Sequence, residues 1–250
     1  MTIEQIKGSL IKDPGFFQID FCLSGLNISN SPGSSLPYYY FLEYDPSLKS
    51  RFIYKKGSDY AVACYIEDRK FGEFAIIRGV NDLVVSELIS ELIKEIKIKK
   101  CYFNTNIENS KMSFPFKIHD LESNKGFYTD FEKLIKYELP LPEGFEFGII
   151  HKNGQYESSI CHQGKLVSSC KTLWKSTGFS EMGGSTDPAF RKKGFFGLVV
   201  YELAVELLKT KIIPIYVFEG SNAASERVAT KLGFLDSGYR ETCFYYNGEA

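Results

Sequence analysis

Three consecutive cations and a glycine precede a long segment with helical periodicity in the C-terminal part of the chain. Arg191, Lys192 and Lys193 stand beside Gly194 in the stretch "FRKKGFFG". A helix N-terminus offers unsatisfied N–H groups and the positive end of the helix dipole, and glycine lets an anion approach the backbone closely. The cations add charge-assisted contacts. This combination predicts a binding loop for a phosphate or a pyrophosphate.

The loop differs from two common nucleotide-binding loops. It has neither the G-x-x-x-x-G-K-[ST] pattern of nucleotide hydrolases nor the G-x-G-x-x-G fingerprint. Basic residues beside a glycine also occur on many protein surfaces, so a solvated basic turn is the alternative interpretation.

Side chains that titrate near neutrality are few, because the sequence has three histidines. His119, His151 and His162 are candidates for moving a proton, and the alternative for each is an ordinary surface or hairpin residue. Trp174 and the aromatic run 38–41 are candidates for lining an apolar pocket, and the alternative for them is the core.

Four short strands with tight polar turns over residues 147–187 predict an antiparallel meander ahead of the loop. After the loop, the pattern predicts a helix from about Phe195 to Thr210, the strand "IIPIYVF", a helix in "NAASERVATKLGF" and a last strand "ETCFYY". A further helix is predicted in "GFYTDFEKLIKY", residues 126–137.

The helix after the loop has a near copy earlier in the chain. "LVVYELAVELLK" (198–209) and "LVVSELISELIK" (83–94) agree at eight of twelve positions, and each lies between two predicted strands. The earlier helix should begin at Asn81 or Asp82, since either can cap it. The later copy has seven additional residues between strand and helix, where the basic loop lies. Two amphipathic helices can also look alike without a duplication.

The order of strand, "TDPAFRKKGFFG", helix, strand and "EGSNAASERVATKLGF" resembles the acetyl-CoA-binding core of the GNAT superfamily of N-acyltransferases. The resemblance covers residues 181–246 well and the strands from Phe145 onward in outline. In that family a Q/R-x-x-G-x-G/A loop cradles the pyrophosphate of coenzyme A. Arg191 and Gly194 match the first and fourth positions of this loop.

Two motifs downstream match the same family. Asn222 and Ser225 match its frequent N-x-x-S, in which the Asn side chain contacts the pantetheine arm, and "KLGF" at 231–234 matches its closing signature. The resemblance implies acetyl-CoA as the acyl donor. The implied cofactor-binding residues are Gly184, Ser185, Thr186, Arg191, Lys192, Lys193, Gly194, Phe195, Phe196, Gly197, Asn222 and Ser225.

The chain departs from the family pattern at two positions. The sixth loop position is Gly or Ala in the family, but here it is Phe196, followed by Gly197. The benzyl group must turn away from the phosphates, or the loop is shifted so that Gly197 serves. The tyrosine that many members use as general acid, seven residues after the Asn, is Ala229 here. The alternatives for that role are Tyr239, Tyr245 and Tyr246.

Transfer to an amine requires a base that accepts the proton of the nucleophile. In the family such groups lie on the strand before the loop, which makes Glu181 the implied base. The main-chain groups of residues 184–186 are then the implied contacts for the acyl and pantetheine portions. Glu73 occupies the corresponding place in the earlier copy, so a purely structural role for the Phe-x-Glu pattern is the alternative.

The predicted fold class is α/β, with mixed sheets of the α+β type. The layout resembles double GNAT proteins, so we expect two tandem halves, each a mostly antiparallel sheet with a strand-helix-strand crossover. The N-terminal half, 1–138, should have lost the pyrophosphate loop. The C-terminal half, 139–250, should bind the acyl-CoA.

The composition limits the possible partners. Thirty Lys and Arg oppose 31 Asp and Glu, so no global field draws the chain to nucleic acid or to an anionic membrane.

The six cysteines are scattered, and Cys161, His162 and Cys170 lack ligand spacing, so we expect no metal. The N-terminal stretch has no apolar signal region and no segment is apolar over a membrane-spanning length, so we expect a cytoplasmic protein.

The resemblance therefore predicts an N-acetyltransferase that moves an acetyl or other short acyl group from coenzyme A to an amine by direct attack. The acceptor would be a small-molecule amine or a protein amine, and the expected assembly is a monomer or a homodimer. The alternative is a non-catalytic acyl-CoA-binding or regulatory module, which Ala229 favours.

Overall fold

The computed structural model describes residues 8–14, 18, 26, 49–68, 72–106, 118–152, 154–175 and 178–248. The chain divides into two compact units. The first unit contains the described residues up to 124 together with 240–248, and the second unit contains residues 125–239. The division at 138 and 139 expected from the sequence stays a prediction. Residues 240–248 belong to the first unit because residues 242–247 pair with the strand at 100–105.

The first unit combines antiparallel strands with one parallel crossover. Its elements are β1 (Ser9–Lys12), β2 (Lys49–Lys56), β3 (Asp59–Asp68), β4 (Gly72–Gly79), helix α1 (Asp82–Ile96), β5 (Lys100–Thr105), and parts of β6 (Ile118–Tyr128) and β12 (Leu235–Asn247). Strands β1 to β4 are antiparallel neighbours in chain order, whereas β4 and β5 are parallel. Strand β12 is antiparallel to β5. The mixed sheet with a helical crossover confirms the predicted fold class.

Helix α1 forms where the sequence has an apolar stripe and a cap. Its buried residues recur at helical spacing: Val84, Val85, Leu88, Ile89 and Leu92. The side-chain oxygen of Asn81 accepts a 3.1 Å hydrogen bond from the N–H of Val84. Asn81, one of the two predicted caps, therefore satisfies a donor at the start of the helix.

The second unit has the predicted meander followed by a crossover. Its elements are the remaining parts of β6 and β12 together with β7 (Phe145–Lys152), β8 (Gln155–His162), β9 (Lys165–Lys175), β10 (Phe179–Thr186), a 3₁₀ turn (Pro188–Phe190), α2 (Phe195–Lys209), β11 (Ile213–Glu219) and α3 (Ala223–Lys231). Strands β7 to β10 are antiparallel neighbours, and β10 is parallel to β11.

Helix α2 is anchored by its apolar stripe. Its fully buried residues are Val199, Val200, Leu203, Ala204 and Leu207, which share a core with Ile160, Cys170 and Met182 of the meander. Truncating a buried leucine such as Leu203 to alanine would cost about 2–5 kcal/mol. This packing fixes where the helix begins, and hence where its N-terminal N–H groups point.

The helix predicted over residues 126–137 is wrong. Residues 126–128 belong to β6, 131–133 form a turn, and 134–142 have no regular secondary structure. The Asp130 side chain accepts hydrogen bonds from the N–H groups of Glu132 and Lys133, which makes the turn. The N–H of Ile135 donates to the carbonyl oxygen of Leu232 at 2.9 Å, so a partner distant in sequence replaces the helical bond.

Candidate functional site

The basic loop covers residues 187–194, between β10 and α2. Its start is fixed by the N–H of Asp187, which donates to the carbonyl oxygen of Val167 at 2.8 Å. Nε of Arg191 donates to the carbonyl oxygen of Thr186 at 3.2 Å. The exposed guanidinium therefore keeps its terminal nitrogens for a ligand, because no hydrogen bond to another described residue uses them.

The start of α2 has no cap. Lys192 and Gly194 have positive φ angles of 64° and 83°, which turn the chain into the helix, and Gly194 has no side chain to bond back. The first intrahelical bond runs from the N–H of Leu198 to the carbonyl oxygen of Gly194 at 3.2 Å. Among the described residues, the N–H groups of 195–197 have no acceptor. Three donors and the positive end of the dipole are thus available to an anion.

Helix α1 differs from α2 in this respect. Only residues 80–81 lie between β4 and α1, whereas residues 187–194 lie between β10 and α2. Asn81 occupies the N–H of Val84, and Asp82 adds a negative charge in the first turn. The first turn of α1 therefore has one free donor fewer than that of α2 and carries a negative charge, which makes it less suitable for an anion.

Strands β10 and β11 separate before β10 ends. Their pairing stops at Met182 and Tyr216, whereas β10 remains paired with β9 as far as Thr186. Within the described residues, one edge of Gly184, Ser185 and Thr186 has no strand partner. Apart from the carbonyl oxygen of Thr186, which accepts from Nε of Arg191, the backbone groups on this edge are available to a ligand that carries amide groups.

A cavity of about 590 Å³ lies beside this edge in the second unit. Its volume is typical of a small-molecule site. The predicted residues that line it are Gly184, Ser185, Thr186, Arg191, Lys192, Gly194, Phe196, Gly197, Asn222 and Ser225. Phe195 and Lys193 lie outside this lining: Phe195 is buried in the core, and Nζ of Lys193 lies 5.2 Å from the ring centroid of Phe190.

The benzyl group of Phe196 turns towards the sheet. Its ring centroid is 6.1 Å from that of Tyr216, and the side chain packs against the core while contributing to the cavity wall. At Gly197, an added Cβ would lie 3.1 Å from the ring of Tyr137. Gly197 thus allows this ring to approach the first turn of α2.

Sequence reasoning missed Tyr137 as a site residue. Its hydroxyl donates to the carbonyl oxygen of Gly194 at 3.3 Å, and Nζ of Lys231 lies 4.7 Å from its ring centroid. Arg227 and Lys231 of α3 also line the cavity and were not predicted. The predicted helix over 126–137 concealed Tyr137. Arg227 belongs to no motif, and Lys231 belongs to the "KLGF" signature, which by itself assigned no cofactor contact to the lysine.

Asn222 and Ser225 are tied to the fold by hydrogen bonds. The Asn222 side-chain oxygen caps α3 by accepting from the N–H of Ser225 at 3.0 Å. The hydroxyl of Tyr216 is 2.9 Å from the hydroxyl oxygen of Ser225. Burial raises the pKa of Tyr216, so this phenol keeps its proton. The amide nitrogen of Asn222 has no hydrogen bond to another described residue and is the part of this side chain left for a ligand.

Residues 156–240 match the family model of the GNAT acetyltransferases. The matched segment includes the uncapped start of α2, the free edge of β10 and the whole of α3. No curated protein matches the chain.

Solved structures show the same fold. A Drosophila protein has a TM-score of 0.66 and 14% identity over 96% of this chain and 99% of that chain. A GCN5-related N-acetyltransferase from Sphaerobacter thermophilus has a TM-score of 0.60 and 9% identity over 95% of each chain. A tandem GNAT protein from the clavulanic acid biosynthesis pathway has a TM-score of 0.52 and 11% identity over 95% of this chain and 98% of that chain. The chain therefore shares the fold of these proteins, one of which is a tandem GNAT protein.

Glu181, the base implied by the GNAT resemblance, lies on β10 but outside the cavity lining. Its neighbour Met182 is buried under α2, so Glu181 points to the other face of the sheet. On that face Ile215, its partner in the strand register, packs against Tyr239. Ala229 is fully buried in the core, so the place of the usual GNAT tyrosine is filled by packing.

The other candidate proton carriers are not brought to the cavity. His151 stacks on Tyr156 with centroids 4.1 Å apart, and His162 stacks on Phe145 at 4.3 Å. In the first unit Tyr245 contacts the ring of Tyr102 at 4.7 Å, and Tyr246 packs against the core. The side chains of His119 and Trp174 and the run 38–41 lie outside the described residues.

Metal ligands do not cluster in the described part of the chain: no three His, Cys, Asp or Glu side chains there are placed to hold an ion. Among the described helices, none combines the length and the apolar character needed to cross a membrane.

Proposed function

We propose that this protein is a cytoplasmic N-acyltransferase that moves an acetyl or another short acyl group from coenzyme A to an amine of a small molecule or a protein. The observation that carries the proposal is the uncapped start of α2, where the N–H groups of 195–197 have no acceptor among the described residues. Phe196 and Gly197 of this turn line a cavity that also has Arg191 and Lys192 in its wall. The GNAT match of residues 156–240 supports acyl transfer as the reaction class.

The residues present fit the phosphate end of coenzyme A. Three free N–H groups, the helix dipole and two cations match the charge of a pyrophosphate. An added Cβ at Gly194 would lie 2.6 Å from the Tyr137 hydroxyl, so the cradle needs glycine at this position. The free edge of residues 184–186 and the amide nitrogen of Asn222 suit the amide groups of the pantetheine arm.

When bound, an acyl-coenzyme A would supply an activated thioester, and its sulfur would leave as the thiolate of a thiol with a pKa of about 8.5, by analogy with cysteine. Glu181 is proposed to accept the proton of the attacking amine, directly or through water. Tyr239 packs with Ile215 on the sheet face of Glu181 and is the proposed proton donor to the thiolate. Direct attack then needs no covalent bond to the protein.

A second function is favoured by two observations. Ala229 is buried where many GNAT proteins have their acid, and Glu181 lies outside the cavity lining. A non-catalytic acyl-CoA-binding or regulatory module needs the loop and the start of α2 but neither of these groups.

Calorimetric titration with acetyl-CoA, followed by mass spectrometry of products over a panel of amines, tests both functions. Binding with transfer to at least one amine is the result expected for the enzyme. Binding without transfer would favour the module, and no binding would contradict both. The Arg191→Gln variant should weaken binding about tenfold, whereas Lys209→Gln, at the far end of α2, should not change it.

A further inference from the structure

The cavity wall carries more positive charge than one pyrophosphate requires. Arg191 and Lys192 of the loop and Arg227 and Lys231 of α3 line it, and in the part of the chain that the structure describes no Asp or Glu does. A pyrophosphate in coenzyme A has about two negative charges, and the loop cations with the dipole of α2 balance these. The two cations of α3 therefore remain without an anion.

The acidic and basic side chains of α3 lie on different faces of the helix. Arg227 and Lys231 are four residues apart, so they are neighbours on one face of the helix. Glu226 lies on another face, where it pairs with Lys125 at 2.8 Å. Neither Arg227 nor Lys231 forms an ion pair with any described residue. Like charges at this spacing oppose helix formation, so helix stability does not explain the pair.

Tyr137 holds the ammonium of Lys231 beside the loop. Nζ lies 4.7 Å from the ring centroid, a cation–π distance, and the hydroxyl of the same ring bonds to the carbonyl oxygen of Gly194. One tyrosine side chain thus separates Lys231 from the start of α2. The second pair of cations lies next to the proposed pyrophosphate position, in the same cavity.

We infer that Arg227 and Lys231 bind a phosphate monoester at the nucleotide end of the donor, which in coenzyme A is the 3′-phosphate. The inference rests on the proposed function and adds a selectivity to it. A phosphate monoester carries about 1.5 to 2 negative charges at pH 7 and has three strong acceptor oxygens. A guanidinium beside an ammonium matches such a group in charge and in donors. The site therefore selects coenzyme A over its 3′-dephospho form.

Paired calorimetric titrations of the full chain with coenzyme A and with 3′-dephospho-coenzyme A test this selectivity. The parent protein should bind coenzyme A about tenfold more tightly than the dephospho form. Arg227→Gln and Lys231→Gln should each weaken binding of coenzyme A by about five- to tenfold and leave the dephospho form unchanged. Arg191→Gln should weaken both ligands.

The control is Lys209→Gln, which removes the same charge from an exposed lysine that pairs with Glu206 and should change neither affinity. Equal affinities of the parent for the two ligands would overturn this inference and leave the proposed function standing. An equal loss for both ligands in Arg227→Gln and in Lys231→Gln would also overturn it. If neither ligand bound the parent, the proposed function itself would be overturned.

Discussion

The hydroxyl of Tyr137 donates a hydrogen bond to the carbonyl oxygen of Gly194 at 3.3 Å, at the residue where the chain turns into α2 with a φ of 83°. Its ring lies so close to Gly197 that a Cβ there would be 3.1 Å away. Gly194 of the loop and Gly197 in the first turn of α2 therefore make room for one tyrosine from the segment ahead of β7. The shape of the loop and the position of Tyr137 are coupled.

Gly194→Ala should destabilise the protein and weaken binding of acetyl-CoA. A left-handed conformation costs a non-glycine residue about 1–2 kcal/mol, and the new Cβ would meet the Tyr137 hydroxyl at 2.6 Å. We expect a loss of about 2–3 kcal/mol in the free energy of unfolding, measured in urea, with at least about tenfold weaker binding by calorimetry.

Gly164→Ala is the matched control, since Gly164 has a φ of 76° and open space around its Cβ position. Gly164→Ala should lose only the stability that the left-handed conformation costs an alanine, and it should bind acetyl-CoA as tightly as the parent protein. Equal losses of stability in the two variants, with unchanged binding in both, would contradict the coupling between Gly194 and Tyr137.

Tyr137→Phe removes the hydroxyl and keeps the ring. The lost hydrogen bond should reduce the free energy of unfolding by about 0.5–1.5 kcal/mol and weaken acetyl-CoA binding several-fold. Combined with Gly194→Ala, the substitution removes the atom that the new Cβ would meet, so the double variant should be more stable than the sum of the single losses predicts. Strictly additive losses would count against the contact.

Glu181→Gln should separate catalysis from binding. If Glu181 accepts the proton of the amine, kcat should fall by about 10²- to 10⁴-fold, while the Kd for acetyl-CoA stays that of the parent, because Glu181 lies outside the cavity lining. Glu73→Gln, at the corresponding strand position of the first unit, is the control and should keep both values. An unchanged kcat in Glu181→Gln would assign the base to another group.

Tyr54 should make stability depend on alkaline pH. Burial, together with the hydrogen bond from its hydroxyl to Glu87 at 2.9 Å, raises the pKa of Tyr54 from 10.0 to about 12. The folded state therefore holds this proton more tightly than the unfolded state, and stability is lost as the pH rises from about 10 to about 12. Over this pH range, the free energy of unfolding measured in urea should fall by about 2 kcal/mol less in Tyr54→Phe than in the parent protein. Parallel losses in the two proteins would refute this assignment.

Local sequence patterns predicted the strand-helix-strand units, because a helix that buries one face carries the apolar stripe of that face in its own sequence. The stripe of Val84, Val85 and Leu88, with Asn81 as cap, indicates α1 without knowledge of its partners. The same holds for α2, whose start after Gly194 follows from glycine and the change in periodicity.

The parts that could not be predicted depend on contacts between distant segments. Residues 126–137 have helical spacing, but Asp130 closes a turn and the N–H of Ile135 bonds to the carbonyl of Leu232. Arg227 and Lys231 have the spacing of a solvated helix face. They become a feature of the cavity only because α3 lies against Tyr137.

The central claim, that the start of α2 binds the phosphates of an acyl-CoA, is tested most directly by amide NMR during titration with acetyl-CoA. The N–H signals of Phe195, Phe196 and Gly197 should shift strongly and saturate together. Those of residues 82–84, in the first turn of the capped helix α1, should remain where they are. Saturable binding that leaves the signals of 195–197 unmoved would contradict the account.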